Sequence, residues 1–167
     1  MIKRILDQIV DAISTLDSAE SELAGREEAI RKATAVLMLD VALADRVFDR
    51  SELEKVLELA EAHFGLRHDE AAELIDGARN EAEAIVSLNQ FTQLLHKYLD
   101  EEEKASIIAM LWQIAYADGR LDKYENALVL KISDLLYVSR GRVMRLKHDA
   151  AQRGNKRNKD THRQEEE

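Results

Sequence analysis

Apolar residues recur at intervals of three and four through residues 2–16, where Ile2, Ile5, Leu6, Ile9, Val10, Ile13 and Leu16 form a stripe. Lys3, Arg4, Asp7 and Asp11 lie off it. This period predicts an amphipathic helix with one side to be covered. The body of the same domain is the first candidate cover, with a dimer contact or a membrane-surface helix as alternatives. Asp7 and Asp11 offset the basic charge that would favour a membrane surface. After a polar stretch containing Gly25, helical periodicity resumes over 27–45 and is almost wholly apolar from Ala33 to Ala44, interrupted by Thr34 and Asp40. A helix apolar on every side belongs in the centre of a fold.

Further helices are predicted over 50–64, 69–84, from Ser87 through Phe91, Leu94, Leu95 and Tyr98, over 101–117, 123–137 and around 140–152. Ser87-Leu88-Asn89-Gln90 and Asp100-Glu101-Glu102-Glu103 have the spacing of capping boxes, and the acids of the second also suit the positive end of a helix dipole. The chain contains no proline and only six glycines, so nothing in its composition breaks long helical runs. The expected fold is all-α, a single compact bundle of seven to eight helices. Residues 1–24 form an N-terminal amphipathic helix and connector, 25–150 the helical domain, and 151–167 a charged tail or helix extension.

Within the domain one acidic segment occurs twice, 73 residues apart. Ala44-Asp45-Arg46-Val47-Phe48-Asp49-Arg50-Ser51-Glu52 and Ala117-Asp118-Gly119-Arg120-Leu121-Asp122-Lys123-Tyr124-Glu125 share Ala-Asp-x-x-apolar-Asp-x-x-Glu. The offset extends into the flanks, matching Leu37, Leu39 and Val41 to Met110, Trp112 and Ile114, and Val56 and Leu57 to Val129 and Leu130. Such a duplication predicts two helix-turn-helix units, each with carboxylates at its turn. Packing the two turns side by side would bring the carboxylates together.

A net charge of -9 argues against broad neutralisation of nucleic-acid phosphates and favours cations as partners. No apolar run reaches the roughly 20 residues needed to cross a bilayer, and no secretory signal opens the chain, so a cytoplasmic location is expected. Without cysteine there are no disulfides and no thiolate ligands. His63, His68, His96, His148 and His162 show no i, i+4 pair, and neither a phosphate loop nor a nucleophile elbow is present. The sequence therefore does not read as an enzyme.

The six repeated acids divide by position. Asp49 and Glu52, like Asp122 and Glu125, have Asp-x-x-Glu spacing, which helix capping explains as well as a metal does. Asp45 and Asp118 fall at the C-terminal ends of apolar helices, where the dipole disfavours negative charge by a few tenths to about 1 kcal/mol. A bound cation would compensate them, as would Arg46, Arg50, Arg120 or Lys123. With oxygen ligands only, the cation would be Ca²⁺, Mg²⁺ or Mn²⁺. The motif is not an EF-hand, because Asp118 to Glu125 spans eight residues, not twelve. Arg46 stands where the second copy has Gly119, whose freedom to adopt a left-handed turn arginine lacks.

The duplicated Ala-Asp-Gly-x-x-Asp-x-x-Glu pattern after an apolar helix resembles the TerB-like domain of tellurite-resistance proteins, over about residues 25–150, and its short stand-alone branch in particular. The resemblance implies a bundle of about seven helices and a metal site formed by Asp45, Asp49, Glu52, Asp118, Asp122 and Glu125. It also implies a non-enzymatic role, with a protein partner, in resistance to tellurite and other chemical or envelope stress. Arg46 departs from the family's usual glycine. The alternative reading is a structural protein-interaction domain in which the acids only cap helices or pair with arginines.

Overall fold

The computed structural model describes residues 2–44, 50–83 and 88–164, with side chains described at 7, 8, 18–44, 50–80, 88–157, 159 and 160. Among the described residues there are seven helices and no strand: α1 (Ile2–Ala42), α2 (Arg50–Phe64), α3 (His68–Glu83), α4 (Leu88–Tyr98), α5 (Glu101–Ala115), α6 (Lys123–Leu135) and α7 (Arg140–Gln164). The chain is all-α, as its composition and periodicity predict.

Two apolar segments build the core. In α1, Ala33, Thr34, Ala35, Val36, Leu37, Met38, Leu39, Val41 and Ala42 are all buried, so this stretch is enclosed on every side. The helix as a whole packs against α2, α3, α4, α5 and α6. Thr34 is tolerated there because its hydroxyl donates to the Ile30 carbonyl at 2.8 Å, leaving no unsatisfied donor. In α5, Ile107, Ile108, Met110, Leu111, Trp112, Ile114 and Ala115 are buried against α1, α2, α6 and α7.

The polar stretch around Gly25, expected to be a connector, is instead helical, and α1 runs unbroken for 41 residues, about 60 Å at 1.5 Å per residue. A glycine inside a helix costs only about 1 kcal/mol relative to alanine, which the long flanking runs absorb. Residues 18–28 are exposed, and Arg26 lies over the Tyr98 ring at 4.6 Å. At the other end α7 continues to Gln164, so the charged C-terminal segment is a helix extension over its described part.

The turns show why the helices stop. Gly65, at φ 63°, closes α2, and the Leu66 amide reaches back to the Glu61 carbonyl at 3.1 Å. Tyr137, at φ 59°, does the same for α6, with the Val138 amide on the Ser133 carbonyl at 3.1 Å. Both are left-handed C-terminal caps, each followed by an apolar residue. At the start of α5 the predicted capping box is complete: the Glu103 amide donates to Asp100 at 2.8 Å and the Asp100 amide to Glu103 at 3.0 Å. Ser87, the expected cap of α4, lies outside the described residues.

Candidate functional site at the acidic turns

The second acidic segment is described in full. The last turn of α5 gives way at Tyr116, and the chain reverses through Gly119 at φ 83°, whose amide donates to the Tyr116 carbonyl at 3.0 Å. This left-handed conformation explains glycine here. Asp118 is exposed, and its Oδ1 accepts from the Arg120 amide at 2.9 Å. Among the described residues no lysine or arginine pairs with it. The compensation expected from a nearby cationic side chain therefore comes partly from the backbone, through a local Asp-to-amide turn that the acidic pattern does not announce.

Asp122 is the N-cap of α6, as its spacing suggests. Its Oδ2 accepts from the Tyr124 amide at 2.7 Å and the Glu125 amide at 3.3 Å. Replacing it with alanine should cost about 1 kcal/mol, measured as a shift in the denaturation midpoint, while asparagine should retain most of the stability. A loss much smaller than this would show that the cap does not hold the start of α6.

Glu125 is the finding that capping does not anticipate. It is 1 % exposed, and Glu52, its counterpart in α2, is also 1 % exposed. Each begins the inward stripe of its helix, Glu52 with Val56 and Ala60, Glu125 with Val129 and Ile132. That spacing of three and four is visible in the sequence and is the signal that could have placed both glutamates inside. An ionised carboxylate at this depth is tolerated only when donors or a cation neutralise it.

Asp45 and Asp49 lie outside the described residues, so of the first copy only Ala44 and the residues from Arg50 onwards are seen. There Arg50 pairs with Glu54 at 3.3 Å, an exposed contact one helical turn long. Among the described residues no three His, Asp or Glu side chains form a group able to hold a metal ion.

The histidines play separate parts. His68 Nδ1 lies 2.6 Å from Glu61, and burial pushes the pKa of His63 down beside Phe64. His96 Nδ1 lies 2.7 Å from the ammonium of Lys104, a buried lysine that also has Glu101 at 3.6 Å. His148 is exposed, and the His162 side chain is outside the described set.

Residues 31–148 match the family profile described as tellurite resistance protein TerB. The chain belongs to the TerB family. The matched TerB region takes in the enclosed part of α1, all of α2–α6 and the first part of α7, and includes both acidic segments. TerB-like domains are non-catalytic modules. The exposed part of α1 before residue 31 and the end of α7 lie beyond the TerB match. Comparison with curated proteins and with solved structures gives no significant match. Among the described residues no helix is long and apolar enough to cross a membrane.

Proposed function

We propose that this TerB-family chain is a non-enzymatic, cytoplasmic stress-response module, associated with resistance to tellurite or related chemical stress, whose paired acidic turns bind a hard divalent cation. The observation that carries this reading is the burial of Glu52 and Glu125, equivalent residues 73 positions apart, each on the inward stripe of its helix. The equivalent inward stripes of these helices, and the left-handed caps at Gly65 and Tyr137, support two related helix-turn-helix units.

The donor set fits such an ion. All six acids offer oxygen only, the preference of Ca²⁺, Mg²⁺ and Mn²⁺. Asp118 uses Oδ1 and Asp122 uses Oδ2 in their turns, which leaves a second oxygen on each carboxylate. Asp45, Asp49, Glu52, Asp118, Asp122 and Glu125 are the proposed ligands. A bound cation would offset the cost of burying Glu52 and Glu125 and, separately, the unfavourable dipole at Asp118.

A cation that binds only the folded chain stabilises it by about 1.4 kcal/mol at ten times its dissociation constant. Melting chelator-treated protein with added Ca²⁺, Mg²⁺ or Mn²⁺ should therefore raise the transition temperature, and Asp118→Asn should reduce the rise. An unchanged transition with all three ions would favour the second reading, a structural module that docks a protein partner or a second copy. That reading draws support from the hydrogen bonds Asp118 and Asp122 already make to backbone amides.

A further inference from the structure

Next to the second acidic turn, on its α2 and α7 side, is a cleft of about 110 Å³. Lys55 of α2, Gln113 and Tyr116 of α5, Gly119 of the turn, and Arg153 and Arg157 of α7 line it. We infer that this cleft is a binding site for a phosphate-sized oxyanion.

The charge of the lining runs against that of the whole chain. In a protein of net charge -9, three cations meet here from helices about 100 residues apart in sequence, which places them together by tertiary packing and not by local composition. Glu58 is the acid seen beside them, 3.5 Å from Lys55 and 3.9 Å from Arg157. Its side chain is 56 % exposed, so water screens both pairs and leaves them weak. Asp118 and Asp122, the nearest acids of the turn, accept from backbone amides. The residues that line the cleft thus include three cations and no carboxylate.

The depth of the cations differs in a way that suits a small anion. The Lys55 side chain is only 16 % exposed, whereas that of Arg157 is 70 % exposed. A largely covered lysine gains more from a doubly charged partner than a surface lysine does, because the effective dielectric around it is lower. Arg153 and Arg157 stand one helical turn apart and can present planar donor pairs to tetrahedral oxygens. The Gln113 amide adds a neutral donor.

Size limits the ligand. The space holds several waters, and so a five-atom oxyanion, but falls short of the roughly 300 Å³ where sites for drug-sized ligands begin. Gly154 adds no side chain to the wall. The ligand would be phosphate itself, or the terminal phosphate of a small molecule whose remainder stays outside.

The test is a titration of the full chain, stripped of divalent ions, with inorganic phosphate at constant ionic strength, followed by ³¹P NMR and calorimetry. Stripping makes the outcome independent of the cation reading, on which this inference does not rest. Saturable binding is expected, weakened roughly tenfold or more by Lys55→Met and by the double change Arg153→Gln/Arg157→Gln. The two arginines are exposed, so the double variant should fold even if Lys55→Met does not. Lys131→Gln, exposed on α6, should bind like the parent. Phosphoserine in a parallel titration separates the two sources: binding as tight as phosphate assigns the site to a phosphate ester, and weaker binding assigns it to the free ion. Absence of saturation with either compound, equal binding of acetate, or unchanged affinity in the double variant would overturn the inference.

Discussion

Trp112→Ala is expected to lower the unfolding free energy by about 3–4 kcal/mol, a loss at the upper end for truncation of a single core side chain. Trp112 is fully buried in α5, and Lys147 of α7 extends over its ring at 5.3 Å while donating to Asn126 of α6 at 2.8 Å. Removing the indole therefore opens a cavity beneath a contact that ties three helices together. The indole also carries a cost of its own: among the described residues its Nε1 is buried without a hydrogen-bond partner. An unmet buried donor costs about 1–3 kcal/mol, so Trp112→Phe, which deletes that donor and keeps much of the ring, should lose far less than the alanine variant. Urea denaturation of the three proteins measures both effects. Equal losses for alanine and phenylalanine would mean that ring volume does not support the core.

Asp40→Asn is expected to stabilise the protein at pH 7 by about 2 kcal/mol, through a carboxylate placed in the wrong surroundings. Asp40 lies between the buried Leu39 and Val41 on α1, and burial raises its pKa from 3.8 to about 6. A raised acid binds its proton more tightly in the folded state than in the unfolded one. Its favourable contribution is thus complete below pH 3.8 and is lost as the pH rises through about 6. The full shift corresponds to about 3 kcal/mol, reduced to about 2 because the side chain is only partly withdrawn from water. The difference between Asn and Asp should shrink toward zero as the pH falls to about 4, while that of a surface control should not. A difference that does not vary with pH would rule out burial of the charge as its source.

Helix type and position were largely legible in the sequence, since the apolar spacing of Val56 and Ala60, or of Val129 and Ile132, has one helical interpretation. The start of α6 at Lys123 falls within the second acidic motif, with Asp122 as its cap. The continuity of α1 through Gly25 was not legible, because one glycine weakens a helix without ending it. The inward position of Glu52 and Glu125 was obscured by chemistry: a glutamate three residues after an aspartate is most simply explained as part of a cap, and only its register with the apolar stripe reveals otherwise. The cleft of Lys55, Arg153 and Arg157 could not be read at all, since it exists only once α7 lies beside α2. The charged segment after Ala151 looked like a solvated extension because its partner surface is far away in the chain.

The enclosed segment of α1 has a consequence for how the protein is made. Residues 33–42 leave the ribosome well before α5 and α6, which pack on α1 in the finished fold. Roughly 60 further residues separate the end of α1 from the start of α5, about 3–12 s of synthesis at ordinary rates. For that interval the most apolar stretch of the chain is without part of its final cover, and α2, α3 and α4 are the neighbours of α1 that emerge in time to shield it.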